Sequence, residues 1–121
     1  MIKFIKSFGF AFRGVFSLLK NERNFKVQLS IFIVVLIFAF TFNLRSVEWI
    51  SILGISALVL TLEAINTAIE KMANEMDSNY NEKIKVIKDI SAGAVLIASL
   101  FSVIIGFIVF YPYFYKLIAN L

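Results

Sequence analysis

Apolar residues gather in three long stretches of this chain, preceded by a segment where apolar and basic positions alternate with a helical period. Between residues 3 and 21, Ile5, Phe8, Phe12, Val15, Phe16 and Leu19 share one sector of a helical wheel, with Lys3, Lys6, Ser7, Arg13, Ser17 and Lys20 opposite. A basic face backed by aromatics predicts an amphipathic helix lying in a membrane surface. Phe10 breaks the pattern by projecting with the lysines, either as an aromatic at headgroup level or as a stacking surface. Asn21-Glu22-Arg23-Asn24 reads as a polar hinge. Val27 to Phe42 then reads as one continuous apolar run, predicting a first span over 27–43; at 1.5 Å per residue the run is about 24 Å long, enough for a thin bilayer. After a short turn through Asn43-Leu44-Arg45-Ser46-Val47-Glu48, a second span is expected over about 47–74, with Trp49 placed as an interfacial aromatic. A charged loop from Met76 to Lys85 leads to a third span over 86–111, ending near Pro112 in an aromatic belt of Tyr111, Tyr113 and Tyr115.

The second stretch changes character before it ends. Ile50 to Leu62 carries no charge, and then Glu63, Asn66 and Glu70 follow at i, i+3 and i+7. At about 100° per residue these three share one face of a helix. A carboxylate placed well inside a bilayer costs roughly 2.5–3.5 kcal/mol on insertion scales. Trp49 marks one interface, and Glu63 lies about 21 Å farther along the helix axis. In a hydrocarbon core about 30 Å thick, Glu63 then sits several ångströms below the opposite surface. Glu70 lies about 10 Å beyond it, at the water boundary. Polar residues can also simply mark where lipid stops, but three on one face weigh toward a site.

Composition narrows the chemistry. Hydrophobic residues make up 60 % of the 121 residues, and the mean hydropathy is +0.89, so a single all-α membrane domain over 1–121 is expected. No cysteine and no histidine occur. Acid–base work therefore falls to Glu, Asp, Lys or Tyr, and any metal should be a hard, oxygen-liking cation such as Mg²⁺. The net charge of +4 comes from basic residues flanking the spans, which indicates topology and not nucleic-acid binding. Ten Lys and Arg precede the first span or lie in the loop between spans two and three, against Arg45 and Lys116 alone on the other side. That bias places the N-terminus in the cytoplasm and the C-terminus outside, and no cleaved signal peptide is expected.

Two carboxylates on one flank, one in lipid and one wet, suit a reaction between a membrane-buried group and a water-borne reagent, such as a lipid alcohol and ATP. Glu63 is placed to accept the hydroxyl proton, Glu70 to hold Mg²⁺ on the phosphates, and Asn66 to orient either partner. Glu22, at the cytoplasmic end of the first span, is a second candidate metal ligand. Lys88-Asp89 offers a phosphate-pairing ammonium beside a further acceptor, although a charge pair is also ordinary at a helix start. No Gly-rich nucleotide loop occurs. Ser91, Ala94, Ala98 and Ser102 form a small-residue face suited to close packing.

Glu63-Ala-Ile-Asn66-Thr-Ala-Ile-Glu70, followed after 17 residues by Lys88-Asp89-Ile-Ser-Ala-Gly-Ala-Val-Leu, resembles the signature of the prokaryotic diacylglycerol kinase family, undecaprenol kinases included. The likeness extends through Gly9-Phe10-Ala-Phe-Arg-Gly14, Asn21-Glu22-Arg-Asn-Phe and Glu48-Trp49. It implies a homotrimeric helical bundle in the bacterial cytoplasmic (inner) membrane, multi-pass, each protomer having a surface helix and three spans. It also implies transfer of the γ-phosphate of Mg·ATP to a lipid alcohol. Under the resemblance, Glu63 is the catalytic base, Glu22 and Glu70 bind the metal, and Asn66 and Trp49 line the lipid site. Lys3, Phe10, Glu22, Glu70, Asn79, Asn81, Lys88 and Asp89 meet the nucleotide. Asn74 stands where the family usually has aspartate, Phe10 where it usually has tyrosine, and Asn79-Tyr80-Asn81 where it usually has an acidic residue and a histidine. Glu48-Trp49 and Asn-Thr-Ala-Ile-Glu are more similar to the undecaprenol branch than to the diacylglycerol one. A proton-coupled exporter is the rival class; it would want a carboxylate at mid-membrane, not acids gathered toward one face.

Overall fold

A computed structural model describes residues 1–121 as four helices and no strand: α1 Ile2–Asn21, α2 Arg23–Thr41, α3 Ser46–Met76 and α4 Glu82–Ala119. The last three are long and apolar enough to cross a membrane. The expected hinge contracts to one residue. Glu22, in extended conformation (φ −107°, ψ 108°), ends α1 and starts α2, which therefore begins four residues before the apolar run. α1 is helical as expected; it packs mainly on α2 and buries none of its residues.

The α2–α3 turn is a Schellman motif. Asn43 takes a positive φ of 52°, Leu44 N–H donates to Ala39 C=O at 3.3 Å and Asn43 N–H to Phe40 C=O at 3.3 Å. Asparagine tolerates the left-handed conformation this turn needs. The apolar contact that accompanies such turns is present too, since Leu44 and Ala39 pack in one small core with Ile52 and Val109. Glu48 accepts from the Arg45 backbone N–H at 3.0 Å, closing the first turn of α3, and its carboxylate also accepts from the Tyr113 hydroxyl.

The helix that contains the expected third span extends beyond it at both ends. The helix continues through Pro112 to Ala119. Proline removes one N–H and the hydrogen bond to Ile108 C=O, but a chain in lipid gains no water contacts by unwinding. Packing holds the turn beyond it: Tyr113 stacks on Phe42 at 5.4 Å, and Phe114 meets Phe42 at 5.0 Å and Phe38 at 5.4 Å.

α3 and α4 form the main antiparallel pair, with α2 on one side. The buried positions Ile52, Val59, Asn66 and Ala73 of α3 recur every seven residues, the period of a left-handed supercoiled seam. On α4 the buried set is Ser91, Val95, Ala98 and Val109. The small-residue face is therefore corrected at one position, because Ala94 is exposed and Val95 takes its place in the seam. Elsewhere the spans expose isoleucine, leucine, valine and phenylalanine, as lipid-facing helices do.

Ala39 is wholly buried. Ala39→Leu should overfill the small core at the α2–α3 turn and cost about 1–3 kcal/mol. Ile37→Leu, on the exposed flank of the same helix, should leave the unfolding midpoint in a mixed-micelle denaturation titration unchanged.

Candidate functional site

The polar stripe is largely buried. Glu63 is 4 % exposed, Asn66 6 % and Thr67 6 %, all on the face of α3 turned to α4. All of these side chains except the Glu63 carboxylate make a hydrogen bond in the seam. The Thr67 hydroxyl donates to Glu63 C=O at 3.0 Å, and the Ser91 hydroxyl of α4 donates to Asn66 Oδ1 at 2.7 Å. Thus fixed, Asn66 turns its Nδ2 to Glu70 Oε1 at 3.4 Å. Ser91, Asn66 and Glu70 form one chain of hydrogen bonds running toward the end of α3. Glu63 belongs to none of the ion pairs and faces a groove of about 330 Å³ between α2, α3 and α4. Asn24, Val27 and Gln28 form one wall, Glu63, Asn66 and Glu70 the second, and Ala92, Val95, Leu96 and Ser99 the third.

Glu22 comes to the same region by an ion pair, Lys71 Nζ to Glu22 Oε1 at 3.2 Å, which ties α3 to the α1–α2 junction. Lys71 follows Glu70 directly, so the ion pair sets Glu22 at the Glu70 end of the groove. Lys88 and Asp89 sit on the next turns of α4. Lys88 Nζ donates to Asn74 Oδ1 at 3.0 Å, and Asp89 pairs with Lys85 at 2.6 Å. These four residues line a second cleft of about 450 Å³ together with Asn79, Asn81 and Tyr80 from the α3–α4 loop. Asn81 caps α4 by accepting from Lys83 N–H at 3.0 Å and Ile84 N–H at 3.4 Å. It also donates to Asp77 at 3.3 Å, and Asn79 N–H donates to the other Asp77 oxygen at 2.9 Å.

The structure thus brings together Glu63, Asn66, Glu70 and Glu22 in one place, and Asn79, Asn81, Lys88 and Asp89 in a cleft beside them. It does not bring Lys3, Phe10 or Trp49 to either. Lys3 and Phe10 lie on the exposed α1, where the Arg13 guanidinium covers the Phe10 ring at 5.6 Å. Trp49 packs edge-on against Phe40 at 4.8 Å, near the opposite end of α3 from Glu70.

The donor set can be tested against Mg²⁺. No three acidic side chains close on one point. A cation carried on phosphates, however, is commonly held by only one or two protein carboxylates, and Glu22 and Glu70 supply two hard oxygen donors at the wet end of the groove. The residues present fit such an ion.

Comparison with known proteins gives the family of the chain. Residues 9–110 match the family model described as prokaryotic diacylglycerol kinase. The undecaprenol kinase of Bacillus subtilis is 36 % identical over 110 residues, covering 91 % of this chain and 89 % of that protein. A diacylglycerol kinase of Synechocystis sp. is 34 % identical over 101 residues (83 % of this chain, 58 % of that protein), and one of Escherichia coli K12 is 26 % identical over 112 (93 % and 92 %). These relatives are lipid kinases, and this chain is a lipid kinase with three helices long and apolar enough to cross a membrane. The chain belongs to the prokaryotic diacylglycerol kinase family.

Three residues escaped the sequence reading. Ser91 was visible only as a small packing residue, Lys71 only as a topology charge, and Gln28 was absorbed into an apolar run. An amide interrupting such a run six residues after Glu22 is the signal that marks it. Ser91→Ala should cost about 0.5–2 kcal/mol, in the range of hydrogen bonds between membrane helices. Lys71→Gln, which frees Glu22, should lower the Mg²⁺ concentration needed for half-maximal activity; an unchanged midpoint would show that the ion pair does not compete with the metal.

Proposed function

We propose that this protein transfers the γ-phosphoryl group of ATP to the hydroxyl of a membrane lipid alcohol, undecaprenol before diacylglycerol, at the cytoplasmic face of a bacterial inner membrane. The observation that carries the reading is the placement, on one flank of α3, of a buried Glu63 that no lysine or arginine pairs and a half-buried Glu70, next in sequence to the Lys71 that holds Glu22. In the proposed reaction Glu63 accepts the hydroxyl proton as the alcohol oxygen attacks the γ-phosphorus. The new P–O bond forms while the bond to the ADP oxygen breaks, and the proton leaves Glu63 for water. Asn66, held by Ser91, keeps Glu70 and the acceptor in register. Lys88 reaches the phosphates by exchanging Asn74 for them. Mg²⁺ supplies charge neutralisation on the phosphates, and Glu22 and Glu70 are the side chains that would hold it.

Undecaprenol is favoured by the 36 % identity and matched length to the Bacillus subtilis undecaprenol kinase. Diacylglycerol is the second reading, supported by the relatives of that name from Synechocystis sp. and Escherichia coli. A homotrimer accords with the apolar flanks left open on every span, and α1 would lie in the membrane surface with Lys3 and Phe10 turned to the nucleotide of the assembled enzyme. The basic loop and N-terminal segment support a cytoplasmic N-terminus and an outer C-terminus.

Glu63→Gln should lower transfer by about 10²–10⁴-fold, the usual range for a lost general base, while Mg·ATP still binds by fluorescent-nucleotide titration. Glu70→Gln should instead weaken the binding of both Mg²⁺ and nucleotide. Equal, mild effects of the two would remove the division of roles. Transfer of radiolabel from ATP into undecaprenol and diacylglycerol, assayed side by side, decides the acceptor.

A further inference from the structure

Glu22 stands at the N-cap of α2, where a side-chain oxygen can accept from the free N–H groups of the first turn. Its carboxylate caps nothing there. It reaches instead to Lys71 Nζ at 3.2 Å. Lys71 in turn leaves Glu75, four residues on along the same helix flank, without an ion pair. Each charge thus passes over a local partner for one on another element. The pair is washed by water, with the Lys71 side chain 64 % exposed and that of Glu22 27 %. An ion pair so open contributes little and exchanges readily.

Lys71 also lies where the two clefts meet. Glu70 just before it lines the Glu63 groove. Asn74, three residues after it, lines the Asn79–Asn81 cleft and holds Lys88 Nζ at 3.0 Å. Residues at i and i+3 are neighbours on a helix surface, about 4.5 Å apart along the axis. The Lys71 ammonium, on its flexible stem, is therefore within one helical turn of both Glu70 and the Lys88–Asn74 contact.

We propose that Lys71 is an exchange cation, holding Glu22 while the site is empty and leaving it for a phosphate oxygen when a nucleoside triphosphate lies across both clefts. The proposal rests on the lipid kinase reading above and adds to it a residue that makes metal and nucleotide binding interdependent. Before the exchange an ammonium occupies Glu22, and only Glu70 is open to a cation. After it both carboxylates are open, and Lys71 joins Lys88 as a second ammonium on the phosphates. Without nucleotide, freeing Glu22 leaves Lys71 no anion in return; with nucleotide, the phosphates supply one.

Binding measurements on the full-length protein in mixed micelles test this without turnover. Mn²⁺ alone is followed by its electron paramagnetic resonance signal, and a fluorescent ATP analogue is titrated in EDTA. Lys71→Gln should tighten Mn²⁺ binding about two- to fivefold, the range of an exposed ion pair. It should weaken metal-free nucleotide binding about tenfold, as for a lost hydrogen bond to a charged group. Lys71→Arg should restore the nucleotide constant. Lys83→Gln removes the same charge elsewhere on the same side and should move neither constant. Glu22→Gln approaches the exchange from the other side: it should tighten metal-free nucleotide binding about two- to fivefold, and should do nothing in the Lys71→Gln background. Opposite signs for metal and nucleotide are the signature, since a merely structural role would weaken both. Any other pair of signs in Lys71→Gln, the same effects from Lys83→Gln, or no tightening in Glu22→Gln overturns the exchange and leaves the kinase reading standing. A wild-type protein that binds no nucleotide even with Mg²⁺ present overturns both.

Discussion

The hydrogen bond from Ser91 to Asn66 is the contact on which the arrangement of the site depends. It lies in a seam whose other positions are apolar or small, and such positions alone can slide past one another in lipid at little cost. Its energy is modest, on the order of 0.6 kcal/mol for an average interhelical hydrogen bond in a membrane. Its value is in register. A polar side chain at one seam position fixes how two helices pair. Because Asn66 is satisfied from α4, its remaining amide hydrogens are free to hold Glu70, so the same contact that aligns the helices also orients an acid at the water boundary.

Register at that point propagates along α3 in both directions. Toward the cytoplasmic side proposed here, Glu70 and Lys71 follow on the next turn, and the ion pair to Glu22 brings the α1–α2 junction to the groove. In the other direction a mainly apolar cavity, lined by Ile31, Val35, Val59 and Val103, lies between the same three helices and shares Gln28 with the Glu63 groove. A water-facing carboxylate, the buried Glu63 and an apolar cavity thereby lie in order along one line. Each owes its environment to its depth and not to any elaborate fold, which is how 121 residues without histidine or cysteine can hold the groups a phosphoryl transfer needs.

Much of this was visible in the chain before any coordinates. Periodicity located four helices, because apolar runs bounded by charge leave few alternatives in a membrane. The i, i+3, i+7 spacing of Glu63, Asn66 and Glu70 placed them on one face, and the structure puts them on one groove wall. Three things were harder to read. Pro112 is ordinarily a terminator, yet here aromatic packing from Phe38 and Phe42 carries the helix past it. Glu22 alone forms the break between α1 and α2, since neighbouring polar residues are as content inside a helix as in a hinge. Lys71 meets Glu22 at the α1–α2 break, Lys88 meets Asn74 of α3 and Asn66 meets Ser91 of α4, and no one-dimensional pattern encodes such distances.

The two ends of the bundle are built of different material. At the Trp49 end, a Schellman turn, an aromatic cluster and the Glu48–Tyr113 hydrogen bond clamp three helices at once. At the Glu70 end, the links are long, solvent-washed side chains, Lys71 to Glu22 and Lys88 to Asn74. Added salt should therefore loosen the exposed charge contacts at the Glu70 end and leave the packed aromatic end as it is, because ions screen exposed pairs and do not touch apolar packing.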